Sequence, residues 1–563
     1  MIRPLPTLLL LCGLLLLLLP PCPRVSAQAN ASEVSLYDDT DNVEMLDIES
    51  LRPALYQNTH CKLVQFLNSF CGDCQRFAPV FKAMSRDLYK WRRLLRIYGV
   101  DCAQERNSAL CRDYNIRQTP TLRFFGPKVT NKTIVYGEQI NSQNPKRITA
   151  YMAEYIPRND FGPGQPNFRR LKSGETAKSL FQSYQDAQSP VEFIVVVLEQ
   201  RSRPGIQILI GRNTLLDLLP YKEVAVRYSV DPNIFANFGL PPSNEKLAIF
   251  GRAGSAQYLH PSTNTSEAYV QVVGEFLEKQ NIKPVPPLPA PKEKNDGSFL
   301  DIQKQAILAE VLKPPAKVYR ADLEQAIDKL LHVELQKWVS YEKENYRALT
   351  NIITLISDFN PLNKDGKVLL TTLRKELSTK QTIKGSDLKT LVATSKMGLR
   401  IFKARRYIGC IGSRPLLRSF TCSLWTLFHY LTVEAAKPPQ LEPPGSVLNA
   451  VHGFAKYFFG CTDCSQHFQQ MAIRRNLTSV KSYDEQILWL WAAHNEVNQR
   501  IAGDPITEDP KFKKIQFPSS ENCPPCRDSK GEWVNEEVLK YLKSLYDKKN
   551  LSFYGLPTPN GYD

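Results

Sequence analysis

The sequence predicts a multidomain protein in which α/β modules are followed by an all-helical part. Its 563 residues exceed the roughly 100 to 200 residues of one domain. Strand and helix signals alternate over residues 35–280, whereas apolar side chains recur at helical spacing over 301–546. The segment PVPPLPAP at 284–291 lies between the two parts and indicates a stiff linker.

The first residues are typical of a secretory signal peptide. Arg3 is followed by an apolar run at Leu8–Leu19 and by the small residues Val25-Ser26-Ala27. The run is shorter than the roughly 20 residues that span a bilayer, so we predict cleavage of residues 1–27 and no membrane anchor in the mature chain. Loss of Arg3 and Arg24 lowers the formal charge from +16 to +14. Without a cluster of basic residues, this surplus does not predict nucleic-acid binding.

The cysteines carry the strongest chemical signal. Of 13 cysteines, Cys12 and Cys22 leave with the signal, and three of the remaining pairs have C-x-x-C spacing. Disulfides persist in the secretory pathway, but so short a ring constrains an unfolded chain very little. The spacing therefore indicates thiol–disulfide exchange or a metal site at these pairs: Cys71/Cys74, Cys461/Cys464 and Cys523/Cys526.

The first C-x-x-C lies at a predicted strand-to-helix junction. The apolar run Lys62–Phe70 ends at Cys71, and Gln75–Tyr89 has helical apolar spacing. The start of a helix stabilises a thiolate, which is the reactive form of cysteine. Two further strands are predicted at Arg96–Val100 and Thr121–Phe125.

This order, with Thr119-Pro120 before the last strand, resembles the thioredoxin fold of the protein disulfide isomerases. The resemblance covers residues 35–160 and implies that Pro120 is cis and lies against a redox-active Cys71–Cys74 pair. Residues 165–280 give a similar pattern without cysteine, which predicts a second thioredoxin-like domain; an unrelated α/β module is the alternative. A linker at 281–300 and a helix-rich region at 301–400 follow.

Residues 401–546, ahead of a tail at 547–563, contain three helical stripes that mix aromatic and hydrogen-bonding side chains. Such groups are costly to bury unpaired, so the stripes predict a flat, polar-edged ligand between helices. A structural zinc site is the alternative, but the wide gap between the cysteine pairs and the oxidising compartment disfavour it. The stripes are Cys422, Trp425 and His429; Cys461, Cys464 and His467; and Trp491, His494, Asn495 and Asn498.

These motifs resemble the Erv-type sulfhydryl oxidases, which are helical FAD proteins. Joined to a thioredoxin domain, the chain resembles the quiescin sulfhydryl oxidase family. Phe517 stands where the family usually has a tryptophan, which removes an indole N–H donor. The resemblance implies no metal and an FAD site made by Arg418, Trp425, His429, Asp463, His467, Trp491, His494, Asn495, Val497, Asn498, Lys514 and Phe517.

The resemblance also implies an activity: protein dithiols are oxidised to disulfides while molecular oxygen becomes hydrogen peroxide. Electrons pass from substrate to Cys71–Cys74, then to Cys461, which exchanges with the first pair, and to Cys464, which lies against the flavin. We expect reduced protein thiols and oxygen as partners, a monomer, and residence in the ER/Golgi lumen or secretion. A disulfide isomerase without flavin turnover and an inactive secreted scaffold are the alternatives.

The other cysteines have simpler interpretations. We predict structural disulfides at Cys102–Cys111 and Cys410–Cys422, because neither pair has redox spacing. Cys61 is expected to be a buried free thiol, and relay and structural roles stay open for Cys523 and Cys526. Five asparagines match the N-glycosylation motif: Asn30, Asn131, Asn264, Asn476 and Asn550.

Asp73, between the first two cysteines, suggests a further hypothesis. Many oxidising thioredoxin-like domains have histidine at this position. A carboxylate beside Cys71 disfavours its thiolate, which raises the pKa and makes the disulfide less oxidising. Asp73→His is therefore expected to speed capture of substrate thiols.

Overall fold

The computed structural model describes residues 35–56, 59–129, 135–162, 165–184, 190–199, 210–290, 300–393 and 401–557. The predicted signal peptide, Asn30, Asn131 and residues 291–299 of the predicted linker lie outside these ranges. Within them, no helix combines the length and the apolar character needed to cross a bilayer.

The first domain is a five-stranded mixed sheet covered by helices on both faces. Its elements are β1 (Glu44–Leu46), α1 (Leu51–Tyr56), β2 (Cys61–Leu67), α2 (Gly72–Asp87), β3 (Leu95–Asp101), α3 (Glu105–Asp113), β4 (Thr121–Phe125), β5 (Glu138–Ile140) and α4 (Pro145–Tyr155). The strand order is β1-β3-β2-β4-β5, in which β4 runs antiparallel to both of its neighbours and the other four strands share one direction. Central β2 is buried along its whole length. Because Phe66 of β2 pairs with Thr121 of β4, the end of β2 and the start of β4 lie at one edge of the sheet.

The second domain repeats this arrangement. Its elements are α5 (Ala177–Gln182), β6 (Phe193–Leu198), α6 (Ile210–Asp217), β7 (Val224–Ser229), β8 (Leu247–Gly251), β9 (Ala256–Tyr258) and α7 (Ser266–Lys279). The sheet order β7-β6-β8-β9, with β6 parallel to β7 and antiparallel to β8, matches that of β3-β2-β4-β5. The prediction of a second thioredoxin-like domain is confirmed. The two domains share an apolar core, and Trp91 Nε1 donates to Asp217 Oδ1 at 2.7 Å across their junction.

The remainder is helical apart from a two-stranded ribbon. Its elements are α8 (Leu300–Val311), α9 (Arg320–His332), β10 (Ser340–Tyr341), α10 (Lys343–Asp358), α11 (Lys364–Ser378), β11 (Ile383–Lys384), α12 (Gly385–Val392), α13 (Ser419–Ala435), α14 (Ser446–Tyr457), α15 (Thr462–Arg474), α16 (Tyr483–Ile501) and α17 (Asn535–Leu545). Helix α9 packs on α13, and α10 packs on α14. One continuous apolar core therefore joins the helix-rich region to the helices that carry the three stripes.

Candidate functional site

Two C-x-x-C motifs lie at helix N-termini. Cys71 immediately precedes α2 and Cys461 immediately precedes α15, both with extended backbone. The unsatisfied N–H groups and the positive dipole end of each helix therefore favour a thiolate at each first cysteine. Cys71 and Cys74 are free thiols, whereas Cys461 and Cys464 form a disulfide.

Thr119 connects the two motifs. Its N–H and its hydroxyl each donate to the Gly460 carbonyl at 2.8 Å, and the Thr462 hydroxyl donates to the Thr119 carbonyl at 3.1 Å. Thr119 and Cys461 thus pair as residues of a short parallel bridge. The Cys71 thiol donates to the same Thr119 carbonyl at 3.7 Å, and the Thr119–Pro120 peptide bond is cis. Cys71 and Cys461 therefore both lie next to the backbone of Thr119.

The pKa values of the first pair are shifted in opposite directions. Burial raises the pKa of the Cys71 thiol, but hydrogen bonds from the Cys74 thiol and backbone N–H outweigh it, so the pKa lies below its ordinary value. The charge of Asp73 acts against this lowering, in the direction that the sequence predicts. Burial, together with the hydrogen bond and charge of Cys71, raises the pKa of Cys74 well above its ordinary value. Of the two thiols, Cys71 is therefore the one that ionises more readily.

An ionic cluster lies beside the paired motifs. The guanidinium of Arg76, on α2, lies 3.2 Å from Asp463 Oδ2 and 3.3 Å from Asp504 Oδ2, both in the helical part. Arg500 also contacts Asp463, at 3.2 Å, and Arg76 lies 3.9 Å from Asp73 of its own domain. One arginine of the thioredoxin-like domain therefore bridges two carboxylates across the junction.

A cavity of about 870 Å³ opens beside the Cys461–Cys464 disulfide. Cys464 lies in its wall, whereas Cys461 is on the side of Thr119. Phe70, Gly72, Gln75 and Arg76 of the first domain complete part of the wall. Nine of the twelve residues predicted to bind FAD line it: Arg418, Trp425, Asp463, His467, His494, Val497, Asn498, Lys514 and Phe517.

The structure does not bring the other three predicted residues to the cavity wall. His429 Nε2 lies 3.0 Å from His494 Nδ1 and supports that ring from behind. Trp491 Nε1 and Asn495 Nδ2 donate to the Phe517 carbonyl at 2.6 and 2.8 Å, and Asn495 Oδ1 accepts from the Phe517 N–H. His429 therefore positions the His494 ring, whereas Trp491 and Asn495 position the backbone of Phe517.

The aromatic residues of the cavity wall fit an isoalloxazine ring. Trp425 and His494 stack with centroids 4.2 Å apart and planes 6° from parallel, which leaves a flat surface. Burial lowers the pKa of His429 to about 3. Burial holds the pKa of His494 well below its ordinary value, and repulsion from a proton on His429 and from the Lys514 ammonium adds to this lowering. Both imidazoles are neutral at physiological pH, so they offer one donor and one acceptor rather than charge.

The basic residues of the cavity wall fit a pyrophosphate. Burial lowers the pKa of Arg418 to about 10, and burial with the charge of Arg418 lowers the pKa of Lys514 to about 8. Arg418 Nε is buried without a hydrogen-bond partner in the described part of the chain. An anionic group bound here would neutralise these two desolvated cations and would accept a hydrogen bond from Arg418 Nε. The wall of the cavity therefore supplies groups that fit both the flavin ring and the pyrophosphate of FAD.

The other cysteines lie away from the Thr119 bridge. The structure contains disulfides at Cys102–Cys111, Cys410–Cys422 and Cys523–Cys526. Cys61 is free and buried, and burial raises the pKa of its thiol to about 12, so it is unreactive. Three of the glycosylation candidates, Asn264, Asn476 and Asn550, are exposed. No group of three metal-ligating side chains occurs among the described residues.

Several residues of this site were not predicted from the sequence. In the sequence Thr119 stands out only as the neighbour of Pro120, and no sequence signal joins it to Gly460. Arg76 and Asp504 are ordinary charged residues in the sequence, and only the packing of the two domains brings them together. Asp463 was predicted to bind FAD, and its carboxylate also binds Arg76 and Arg500.

Comparisons with known proteins agree with this site. Family models match for thioredoxin over residues 42–153, for FAD-dependent sulfhydryl oxidase over 315–413 and for the Erv1/Alr family over 422–518. Human sulfhydryl oxidase 1 is 32% identical over 542 residues, covering 93% of this chain and 69% of that protein. Human sulfhydryl oxidase 2 is 31% identical over 534 residues, covering 91% and 73%. A solved sulfhydryl oxidase fragment of human QSOX1 is 36% identical and covers 42% of this chain and 98% of its own, with a TM-score of 0.39.

Proposed function

Because the chain belongs to the quiescin sulfhydryl oxidases and is an FAD-dependent thiol oxidase, we propose a specific electron path through its two C-x-x-C motifs. Cys71–Cys74 takes electrons from reduced secreted proteins, and Cys461–Cys464 receives them beside the cavity. The observation that carries this path is the bridge between Thr119 and Cys461, with the Cys71 thiol on the same Thr119 carbonyl.

The first half-reaction begins on an oxidised Cys71–Cys74 pair. A substrate thiolate attacks Cys71 Sγ, the S–S bond breaks, and the Cys74 thiolate leaves. The second substrate thiolate then attacks the substrate sulfur of the mixed disulfide and releases Cys71. The substrate gains a disulfide, two protons pass to solvent or base, and both cysteines are reduced.

The second half-reaction passes the same two electrons to the helical part. The Cys71 thiolate attacks Cys461 Sγ and expels the Cys464 thiolate; Cys74 then attacks Cys71 and expels Cys461. The lowered pKa of Cys71 supplies the attacking thiolate, and the raised pKa of Cys74 keeps it protonated until that second attack. The dithiol of Cys461 and Cys464 would then be reoxidised beside the cavity, where a bound FAD would supply the two-electron chemistry that couples dithiol oxidation to reduction of oxygen to hydrogen peroxide.

The residues of the cavity have separate roles in this proposal. Trp425 and His494 hold the flavin ring, Arg418 and Lys514 neutralise the pyrophosphate, and Cys464 delivers electrons. The neutral His429 fixes the orientation of the His494 ring by their hydrogen bond. We further propose that the enzyme is a monomer that works in the lumen of the secretory pathway or outside the cell.

Oxygen uptake by the purified mature protein tests the path. With a reduced, unfolded protein as donor, we expect one oxygen consumed per disulfide formed. Cys71→Ser should abolish this uptake but leave uptake driven by dithiothreitol, which reduces Cys461–Cys464 directly, whereas Cys464→Ser should abolish both. Rearrangement of donor disulfides without oxygen uptake would support the isomerase alternative instead.

A further inference from the structure

A buried ion pair outside both C-x-x-C motifs contacts the chain segment that precedes each of them. Glu334 and Lys337 lie just after α9 and are 2% and 6% exposed. Lys337 Nζ donates to Glu334 Oε2 at 2.6 Å. Burial of two charges is costly unless the remaining donors and acceptors find partners. The other contacts of this pair therefore show what it holds in place.

On one side, the pair holds the segment that enters the Cys461 motif. Glu334 Oε2 accepts from the Gly460 N–H at 2.9 Å, and Lys337 Nζ donates to the Phe458 carbonyl at 2.8 Å. A Cβ atom at Gly460 would collide with Lys337 Nζ and lie 3.3 Å from Asn68 Nδ2. The backbone at residue 460 is thus pressed against the ion pair, and a side chain at this position would have to displace the Lys337 ammonium group.

On the other side, the pair holds the loop that carries the first motif. Glu334 Oε1 accepts from Asn68 Nδ2 at 3.3 Å. Asn68 in turn accepts from the Phe70 N–H at 2.9 Å through Oδ1, and its own N–H donates to Cys74 Sγ at 3.4 Å. A single carboxylate therefore contacts one residue beside each redox pair.

Gly460 connects the ion pair to Thr119. Its N–H is held by Glu334, while its carbonyl accepts from the Thr119 N–H. We propose that Glu334, oriented by Lys337, is a positioning residue that fixes the register in which Cys71 meets Cys461. This inference rests on the electron path proposed above. Loss of the Asn68 contact should weaken docking of the first domain without removing any reacting atom.

The experiment measures docking as a disulfide equilibrium. Cys74→Ser with Cys464→Ser leaves Cys71 and Cys461 as a pair, which glutathione disulfide oxidises while two molecules of glutathione are formed. The fraction of the Cys71–Cys461 disulfide, measured by mass spectrometry across glutathione redox buffers, gives its equilibrium constant. We expect this disulfide to form readily in that parent protein.

The decisive variants exchange the hydrogen-bond donor and acceptor between residues 68 and 334. Asn68→Asp keeps the acceptor for Phe70 but places a second carboxylate against Glu334, so the equilibrium constant should fall at least about ten-fold. Adding Glu334→Gln to Asn68→Asp restores one hydrogen-bond donor and one acceptor at this contact and returns the net charge beside Lys337 to its original value. The equilibrium constant should then recover to within about three-fold of the parent value. Asn141→Asp, an exposed position of the same domain, is the matched control and should change nothing.

Each outcome is informative. An unchanged constant in Asn68→Asp would overturn the positioning role while leaving the electron path intact. A fall that Glu334→Gln does not recover would also overturn it, because a general folding defect is not repaired by the exchange. Failure of the parent protein to form the Cys71–Cys461 disulfide would overturn the electron path, and this inference with it.

Discussion

The bridge made by Arg76 predicts a salt-sensitive transfer step. Arg76 contacts Asp463 and Asp504 at 3.2 and 3.3 Å, and its side chain is 34% exposed. Bare Coulomb energy at an effective dielectric constant of about 20 gives about 5 kcal/mol per pair, but exposure and side-chain entropy reduce such pairs to about 0.2–1 kcal/mol each. Together they stabilise docking by about 1 kcal/mol. Arg76→Gln should therefore slow electron transfer between the two C-x-x-C pairs roughly five-fold.

Rapid mixing with a reduced, unfolded protein tests this, because loss of flavin absorbance follows the transfer. The difference between Arg76→Gln and wild type should be largest at low ionic strength and should vanish near 1 M salt, where the Debye length is about 3 Å. Arg147→Gln, which removes an exposed cation from α4 of the same domain, should behave as wild type. Equal rates for Arg76→Gln and wild type at low salt would refute the reasoning.

Three further predictions follow from the structure. Asp73→His removes the carboxylate that raises the pKa of Cys71; alkylation of Cys71 against pH should show a lower pKa, and an unchanged value would contradict the hypothesis. His429, with a folded pKa of about 3, binds a proton more readily when unfolded; the free energy of unfolding should therefore fall as pH drops from 6.5 toward 3, by up to about 1.4 kcal/mol per pH unit for each such histidine. Urea midpoints for His429→Phe should show a shallower fall, and an identical slope would contradict this. Cys422→Ser removes the disulfide to Cys410, which spans 12 residues. It should lower the free energy of unfolding, measured by urea denaturation, by about 3 kcal/mol; no loss would show that the disulfide is not structural.

Much of the fold was predictable because its signals are local. The strand predicted at Thr121–Phe125 has those same bounds, and the one at Arg96–Val100 lies within β3. The helix after Cys71 begins at Gly72, three residues earlier than its apolar spacing indicates, because Gly72 and Asp73 extend it without adding apolar side chains. Periodicity and turn residues identify such elements within a short window.

The contacts between domains were not predictable in this way. Thr119 and Gly460 are 341 residues apart, and Arg76 and Asp463 are 387 apart. No local pattern encodes such pairs, because they depend on how separately folded surfaces meet. The same reason explains His429: helical spacing places it on the stripe with Trp425, but the neighbouring helix decides whether its ring faces the cavity or His494.

Because the backbone of Thr119 is hydrogen-bonded to the helical part, a substrate must compete with that part for it. Its N–H and carbonyl are both hydrogen-bonded to residues 460–462. An extended substrate that pairs with this sheet edge needs the same two groups. The 460–462 segment and such a substrate therefore cannot occupy the Thr119 backbone at the same time. Tighter docking would hasten reoxidation of Cys71–Cys74 but raise the KM for protein thiols, so turnover is fastest at an intermediate strength of docking.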